Sequence, residues 1–213
     1  MAQTLALIDA INLKKDTMKK VLLLSVLFIT FSNVFSQNLN TAVKILDYVD
    51  SLGMNFRPPV LYRVLVTKEN SDLQYSFALM NRDSSMEIRY SIWPLKPYIE
   101  EYEKPLNDPN SLIIDPNNLY KGIIQSNVLN MTSGKYYDIG HFDSKAVKKE
   151  FNADAGGSCF FDFDCEFGEG YKYGQFVYLH KDNVADVIIT YMSNDKERHS
   201  ELMMDVFHAL TFK

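Results

Sequence analysis

The residues best placed to do chemistry in this 213-residue chain are carboxylates. Asp162, Asp164 and Glu166 alternate with Phe161, Phe163, Cys165 and Phe167. In a strand that alternation turns the apolar side chains to one face and the carboxylates to the other. Glu169 follows between Gly168 and Gly170, and Asp154 precedes. Clustered carboxylate oxygens suit a hard cation such as Ca²⁺. Asp162, Asp164, Glu166 and Glu169 are therefore a candidate calcium site, set against a plain solvated acidic face. Strand spacing favours the second reading, because alternate carboxylates stand about 7 Å apart and need a bend or a second segment to close round one ion. An EF-type loop also fails: Phe167 stands where glycine is required and Tyr173 where glutamate is required.

Other reactive types are sparse. Cys159 and Cys165 are the only cysteines. On one extended strand their Cα atoms lie about 20 Å apart, whereas a disulfide needs about 7 Å or less. The spacing predicts two buried free thiols unless the chain turns between them. His141, His180, His199 and His208 form no His-x-x-x-His pair, and Cys-x-x-Cys is absent, so zinc signatures are missing. His180 falls at a turn and reads as exposed or locally bonded. There is no Gly-x-Ser-x-Gly and no P-loop. Ser193-Asn194-Asp195-Lys196 matches Ser-x-x-Lys but reads equally as a helix N-cap. A Cys–His pair drawn from distant residues stays open, although both thiols fall on the apolar face, where thiols are inert. Trp93, Tyr98 and Tyr102 lie beside Pro94 and Pro97. That aromatic patch can anchor a partner or form a satellite core under a loop.

The elements that must position these residues follow from periodicity. Asn40 to Leu52 carries a helical apolar stripe that stops at Gly53. Val60 to Thr67 reads as a strand. Leu73 to Asn81 and Met86 to Trp93 alternate about the turn residues Arg82 to Ser85 and read as a hairpin, with Leu73, Tyr75, Phe77 and Leu79 on one face. Pro97 to Glu103 fits a short helix. Asp115-Pro116 is a helix start, followed by a stripe from Leu119 to Met131. Asp143 or Ser144 caps a helix to about Phe151. Ser158 to Phe167 alternates as a strand. Tyr171 to Leu179 and Val184 to Tyr191 form a second hairpin. Asp195 caps a final helix whose stripe runs from Leu202 to Leu210. Hairpins make the sheet largely antiparallel. Helices between the strand groups cover it, giving an α+β fold, an α/β/α sandwich.

Composition bounds the function. Hydrophobic residues are 46% and charged residues 23%, which excludes disordered and collagen-like chains. An excess of 27 acidic over 22 basic residues argues against nucleic-acid binding, which leaves a basic footprint. Met18-Lys19-Lys20 precedes an apolar run from Val21 to Phe31 and a polar exit to Gln37, with Val34 and Ser36 small enough for signal-peptidase recognition. The run is too short for a span, which needs about 20 residues. A cleaved signal peptide over 1–36 is expected, with Met18 as the start and 1–17 a misassigned extension. Cleavage removes four lysines and two aspartates, leaving 177 residues at a net charge of −7 in one domain, 37–213. The product is exported, periplasmic or secreted, and has no transmembrane anchor.

The stretch from Lys149 to Lys213 resembles the C-terminal half of proteins with the PsbP-like fold, including small exported bacterial proteins of that type. It carries Lys149-Glu150-Phe151-Asn152-Ala153-Asp154-Ala155-Gly156-Gly157, an aromatic strand, and Phe167-Gly168 before Tyr171-Lys172-Tyr173. Leu179-His180-Lys181-Asp182-Asn183-Val184-Ala185-Asp186 follows, then a helix into Ala209-Leu210-Thr211-Phe212-Lys213. Glu87-Ile88-Arg89-Tyr90 is similar to the first hairpin of such proteins. The resemblance implies an α/β/α sandwich and a non-enzymatic role, as an accessory to a protein or envelope complex. The alternatives are a secreted hydrolase or metal-dependent enzyme with a site built from distant residues, and a small-ligand carrier with an aromatic cleft.

Overall fold

The computed structural model describes residues 41–70, 72–104 and 114–213. The expected signal segment, the start at Met18 and the loop at 107–110 lie outside those residues. The chain divides into two compact units, Met1–Val43 and Lys44–Lys213. Of the first, only 41–43 is described, and it is helical. The second unit begins inside that helix, α1 (41–51).

Seven strands form one sheet: β2 (Tyr62–Leu65), β3 (Phe77–Asn81), β4 (Met86–Pro94), β5 (Gly140–His141), β6 (Ala155–Asp162), β7 (Tyr173–Lys181) and β8 (Ala185–Ser193). Their order is β2-β3-β4-β8-β7-β6-β5, and every neighbouring pair is antiparallel. The centre is β4 against β8, paired from Met86↔Ser193 to Pro94↔Ala185. β8, buried on both faces, reads as a near-continuous apolar run, whereas β4, buried as far as Ile92, alternates apolar residues with Glu87, Arg89 and Ser91. A separate two-stranded sheet joins β1 (Met54–Phe56) to β9 (Leu210–Phe212), with Met54 opposite Phe212.

Each face of the large sheet has its own core. On one, Leu79, Ile88, Leu179, Val187 and Ile189 pack with Val49 of α1, with Phe151 of α4 (Ser144–Phe151) and with Met203 of α5 (Lys196–Met204). On the other, Cys159, Phe161, Phe176, Ile188 and Met192 pack with Ile124, Val128 and Met131 of α3 (Tyr120–Met131). Helices thus lie on both sides of an antiparallel sheet, the α/β/α sandwich expected from the alternation. The short α2 (Lys96–Tyr102) contributes no buried residue. Asp143 and Asp195 cap α4 and α5 as expected, each carboxylate accepting two backbone N–H groups of the first turn.

Several boundaries differ from the periodicity. β2 is shorter than the expected Val60 to Thr67, because Val60 and Leu61 lie in a turn closed by the Tyr62 N–H on the Pro59 carbonyl (3.1 Å). β3 starts only at Phe77. Asn70 Oδ1 accepts the Asp72 and Leu73 N–H groups, folding the preceding chain, so Leu73 and Tyr75 enter the α3-side core while Phe77 and Leu79 enter the other. β6 ends at Asp162, because Asp164 N–H turns to the Met131 carbonyl (3.1 Å) and Phe167 N–H to Asp72 (3.2 Å). A 3₁₀ turn, Glu166–Gly168, replaces the expected strand end. Asp115 caps a 3₁₀ turn, Pro116–Asn118, ahead of α3. The final apolar stripe is not one helix: α5 stops at Met204, and Leu210 belongs to β9.

His199 of α5 is fully buried, with Nδ1 2.8 Å from Ser193 Oγ and Nε2 without a partner. Burial pushes its pKa down to about 4 from the ordinary 6.5. The folded state therefore holds it neutral while the unfolded chain takes a proton below pH 6.5. Stability falls as pH drops from 6.5 towards 4, by roughly 2 kcal/mol at pH 5. His199→Leu is expected to shrink the difference between urea midpoints measured at pH 7.5 and pH 5.

Candidate functional site

At the β5 edge of the sheet lies a cleft of about 520 Å³, lined by Tyr120 and Ile124 of α3, Tyr136, His141 of β5, Val147 of α4 and Tyr178 of β7, among others. Two adjacent glycines of β6 permit it. A Cβ on Gly157 would meet the Gly140 carbonyl oxygen at 2.3 Å and the Tyr178 ring at 2.6 Å, and one on Gly156 would meet Val147 at 2.8 Å. Bare backbone there lets β5 and α4 close on the sheet. Tyr178 OH and His141 Nδ1 are 2.7 Å apart. Burial pushes the Tyr178 pKa up to about 12, so the phenol keeps its proton.

A polar hollow of about 370 Å³ adjoins the cleft, sharing Tyr120, Asp154 and Ala155 with it. Its anchor is His180, buried to 2% exposure. Nδ1 lies 2.5 Å from Asp186 and Nε2 2.9 Å from Asp182, while the ring stacks on Tyr120 with centroids 4.2 Å apart. Carboxylates only accept, so both ring nitrogens donate and the ring is an imidazolium. Burial pushes the His180 pKa down, but the hydrogen bonds to Asp186 and Asp182 outweigh it and hold the pKa above the ordinary value. The stability this group contributes is full below its unfolded pKa and is lost as pH rises through the raised folded value. Asn117 and Asn183 clasp each other across the hollow at 3.1 and 2.8 Å, tying the turn before α3 to the β7–β8 turn. Asp154 accepts from Lys148 (2.7 Å) and from Asp182 N–H (3.1 Å). Burial works to raise its pKa, and the Lys148 bond with its neighbours brings it below the ordinary carboxylate value.

The expected acidic site is dispersed. Asp162 and Asp164 are exposed, and Asp164 pairs with Lys135 at 3.1 Å. Glu169 accepts from Lys68 at 2.8 Å and lies 3.2 Å from Arg89. The Lys68 bond above all, with Arg89, holds the Glu169 carboxyl below its ordinary pKa. The Glu166 side chain lies outside the description. Among the described residues no group of three or more His, Cys, Asp or Glu is placed to hold a metal ion. With Asp164 and Glu169 already neutralised by cations, adding calcium chloride or a chelator is expected to leave Tm unchanged in a thermal melt.

Glu169 instead belongs to a knot around Arg89, which is 1% exposed at the middle of β4. Its guanidinium donates to Glu87 (2.7 Å) and to the Phe167 carbonyl (2.7 Å), between the rings of Tyr75 and Phe167 at 4.9 and 4.5 Å. Both cysteines are free, and they do not share a strand: Cys159 is buried on β6, while Cys165 lies past its end, only half-buried, with Sγ 3.7 Å from Met131 Sδ. Burial, with Asp138 nearby, pushes the Cys159 thiol up to about 11, and burial also raises Cys165. Trp93 is half-buried against the α3-side core. Tyr98 and Tyr102 stand exposed, four positions apart on α2.

His180, expected to be exposed or locally bonded, is locally bonded and also buried. The signal was present: His180 and Asp186 are equidistant from the centre of the hairpin turn, which makes them cross-strand partners. Tyr120, which completes the stack from α3, left no such trace.

No family model and no curated protein matches the chain. Among solved structures it is similar to cyanobacterial PsbP (CyanoP) from Synechocystis, at 10% identity and a TM-score of 0.41, over 76% of this chain and 88% of that one. Among the described residues no helix is long and apolar enough to cross a membrane.

Proposed function

We propose that this protein is an exported binding or accessory protein that acts on another protein or an envelope complex and carries out no reaction of its own. The carrying observation is the state of His180. It is the buried histidine beside the open cleft, and both its nitrogens are bonded to carboxylates, which leaves no lone pair for a general base. The thiols point the same way, since burial keeps both protonated and unreactive. The basic and apolar run from Met18 to Phe31 supports export. Partner contact falls to the exposed rings of Tyr98 and Tyr102 on α2, with Trp93 near the end of β4 as the third candidate. The test is cross-linked co-purification from the envelope. Wild type is expected to recover a stoichiometric partner. The double variant Tyr98→Ser/Tyr102→Ser should lose it at unchanged Tm. A hydrolytic turnover of the purified protein, abolished by His141→Ala, would overturn the reading.

One observation favours a second reading, a small-ligand carrier. Gln125 lines the cleft beside the rings of Tyr120, Tyr136 and Tyr178, and its Nε2 is buried with no acceptor. A bound carbonyl or carboxylate would supply one. Native mass spectrometry of the protein taken from its own host separates the two readings. A retained small-molecule adduct that Gln125→Leu abolishes supports the carrier.

A further inference from the structure

Among the described residues β2 has a neighbour on one side only and forms an edge of the seven-stranded sheet. Its flanks are bare: Val60 is 97% exposed, Leu61 63% and Val66 88%. Exposed apolar side chains beside unpaired backbone N–H and C=O groups invite another strand, and native sheets ordinarily blunt such edges. The opposite edge is managed by brevity, since β5 is only Gly140–His141.

The charge pattern of this edge runs against that of the whole chain. Residues 57–68 contain Arg57, Arg63 and Lys68 and neither Asp nor Glu, in a chain of net charge −5. Lys68 is paired with Glu169. Arg57 and Arg63 are exposed, and among the described residues neither has an ion-pair partner.

We propose that β2 and its flanks, 57–68, are a docking edge that takes an extended strand of a partner protein in which apolar residues alternate with carboxylates. The inference rests on the reading of the chain as a protein-binding module. Strand addition satisfies the open backbone groups, Val60, Leu61 and Val66 supply apolar contact, and the two arginines select acid. Pro58 and Pro59 have no N–H to donate, and Val60 and Leu61 form a turn that the Tyr62 N–H closes on the Pro59 carbonyl (3.1 Å), so pairing runs along β2 itself and the two turn residues flank it as apolar contacts. A second copy of the chain fits less well. A two-fold antiparallel pairing that lays Val60 on Val66 sets Arg63 directly opposite its own copy, and like charges across a ladder repel. An anionic lipid surface offers charge but no partners for the backbone groups.

The test uses the full chain and a capped peptide, Glu-Val-Glu-Val-Glu-Val-Glu, titrated by fluorescence anisotropy with amide hydrogen exchange as a second readout. The acidic peptide is expected to slow exchange at 60–66 and to bind about tenfold or more tightly than its Lys-for-Glu analogue, on the scale of a directly opposed charge. N-methylation of alternate peptide residues should abolish binding, a result independent of any effect on this protein's folding. Arg63→Glu should reverse the preference between the two peptides at unchanged Tm. Equal binding of both peptides, protection elsewhere than 60–66, concentration-dependent self-association through 60–66, or capture by phosphatidylglycerol vesicles that the peptide does not compete with would each overturn the docking edge. If these probes fail while a partner is still recovered through Tyr98 and Tyr102, only the edge falls. If the peptide binds at 60–66 while a catalytic turnover is found, the edge stands and the accessory reading falls.

Discussion

Replacing Arg89 by alanine is expected to destabilise the protein by about 3–5 kcal/mol, as removal of one partner from a buried ion pair does. The guanidinium sits in the fully buried middle of β4, so its loss leaves Glu87, itself 6% exposed, without its 2.7 Å partner in a dry core. The same change removes the donor to the Phe167 carbonyl and the cation between the Tyr75 and Phe167 rings. Those contacts fasten two segments that make no ladder of their own, the chain before β3 and the turn after β6. Urea unfolding monitored by far-UV circular dichroism measures the cost. The double variant Arg89→Met/Glu87→Met should recover most of it, because apolar residues of similar volume can replace a buried pair at little net cost. Glu169→Gln should cost far less, since Glu169 is 31% exposed and its other partner, Lys68, is a surface residue. A single-variant cost below about 1 kcal/mol would show that the knot is ornamental rather than structural.

Gly157→Ala is expected to open the cleft. A methyl group there has nowhere to go, with a backbone oxygen of β5 at 2.3 Å and the Tyr178 ring at 2.6 Å. The ring can rotate away but the Gly140 carbonyl cannot, so β5 must leave the sheet edge. Overpacking of this kind costs about 1–3 kcal/mol. The local consequence is larger than the global one: His141 loses its 2.7 Å contact with Tyr178, and the wall of the cleft between 136 and 144 comes loose. Amide exchange should accelerate by orders of magnitude at 139–142 while the β4–β8 amides stay protected. Unchanged exchange at 139–142 would mean that the sheet edge yields without β5 detaching.

How much of this was legible beforehand depended on where the hydrogen bonds go. The starts of the helices at Asp143 and Asp195 are legible because their first-turn donors are satisfied by a side chain three positions or fewer away. The β7–β8 hairpin was placed because Asp182-Asn183 forms a local turn, with Asn183 in the left-handed region at φ 62°. What failed was long-range. The aromatic alternation from Phe161 to Phe167 looked like one strand, yet the Met131 carbonyl, on a helix thirty-odd positions upstream in sequence, takes the Asp164 N–H and ends it. The β1–β9 pair joins Met54 to Phe212, and neither triplet carries a signal for the other. Arg89 sits in an alternating strand where charge implies solvent; only Glu87, Phe167 and Glu169, gathered from two parts of the chain, make its burial affordable. Nor does the spacing of the candidate carboxylates show the cations that pair with two of them, Lys135 with Asp164 and Lys68 and Arg89 with Glu169.

The β4–β8 ladder has a bearing on how the molecule assembles. It is the seam between a hairpin from the first half of the domain, β3–β4, and one from the second, β7–β8, and their pairing runs the whole length of both strands. Each hairpin is local and can form early, whereas the seam must await a loop of about a hundred residues, so its closure is the slow, all-or-none event. The two halves are then natural fragments. Expressed as separate polypeptides, 44–104 and 114–213 would each expose one further edge, β4 in the first and β8 in the second, which are each other's full-length complements, and the pair is suited to reconstitution on mixing.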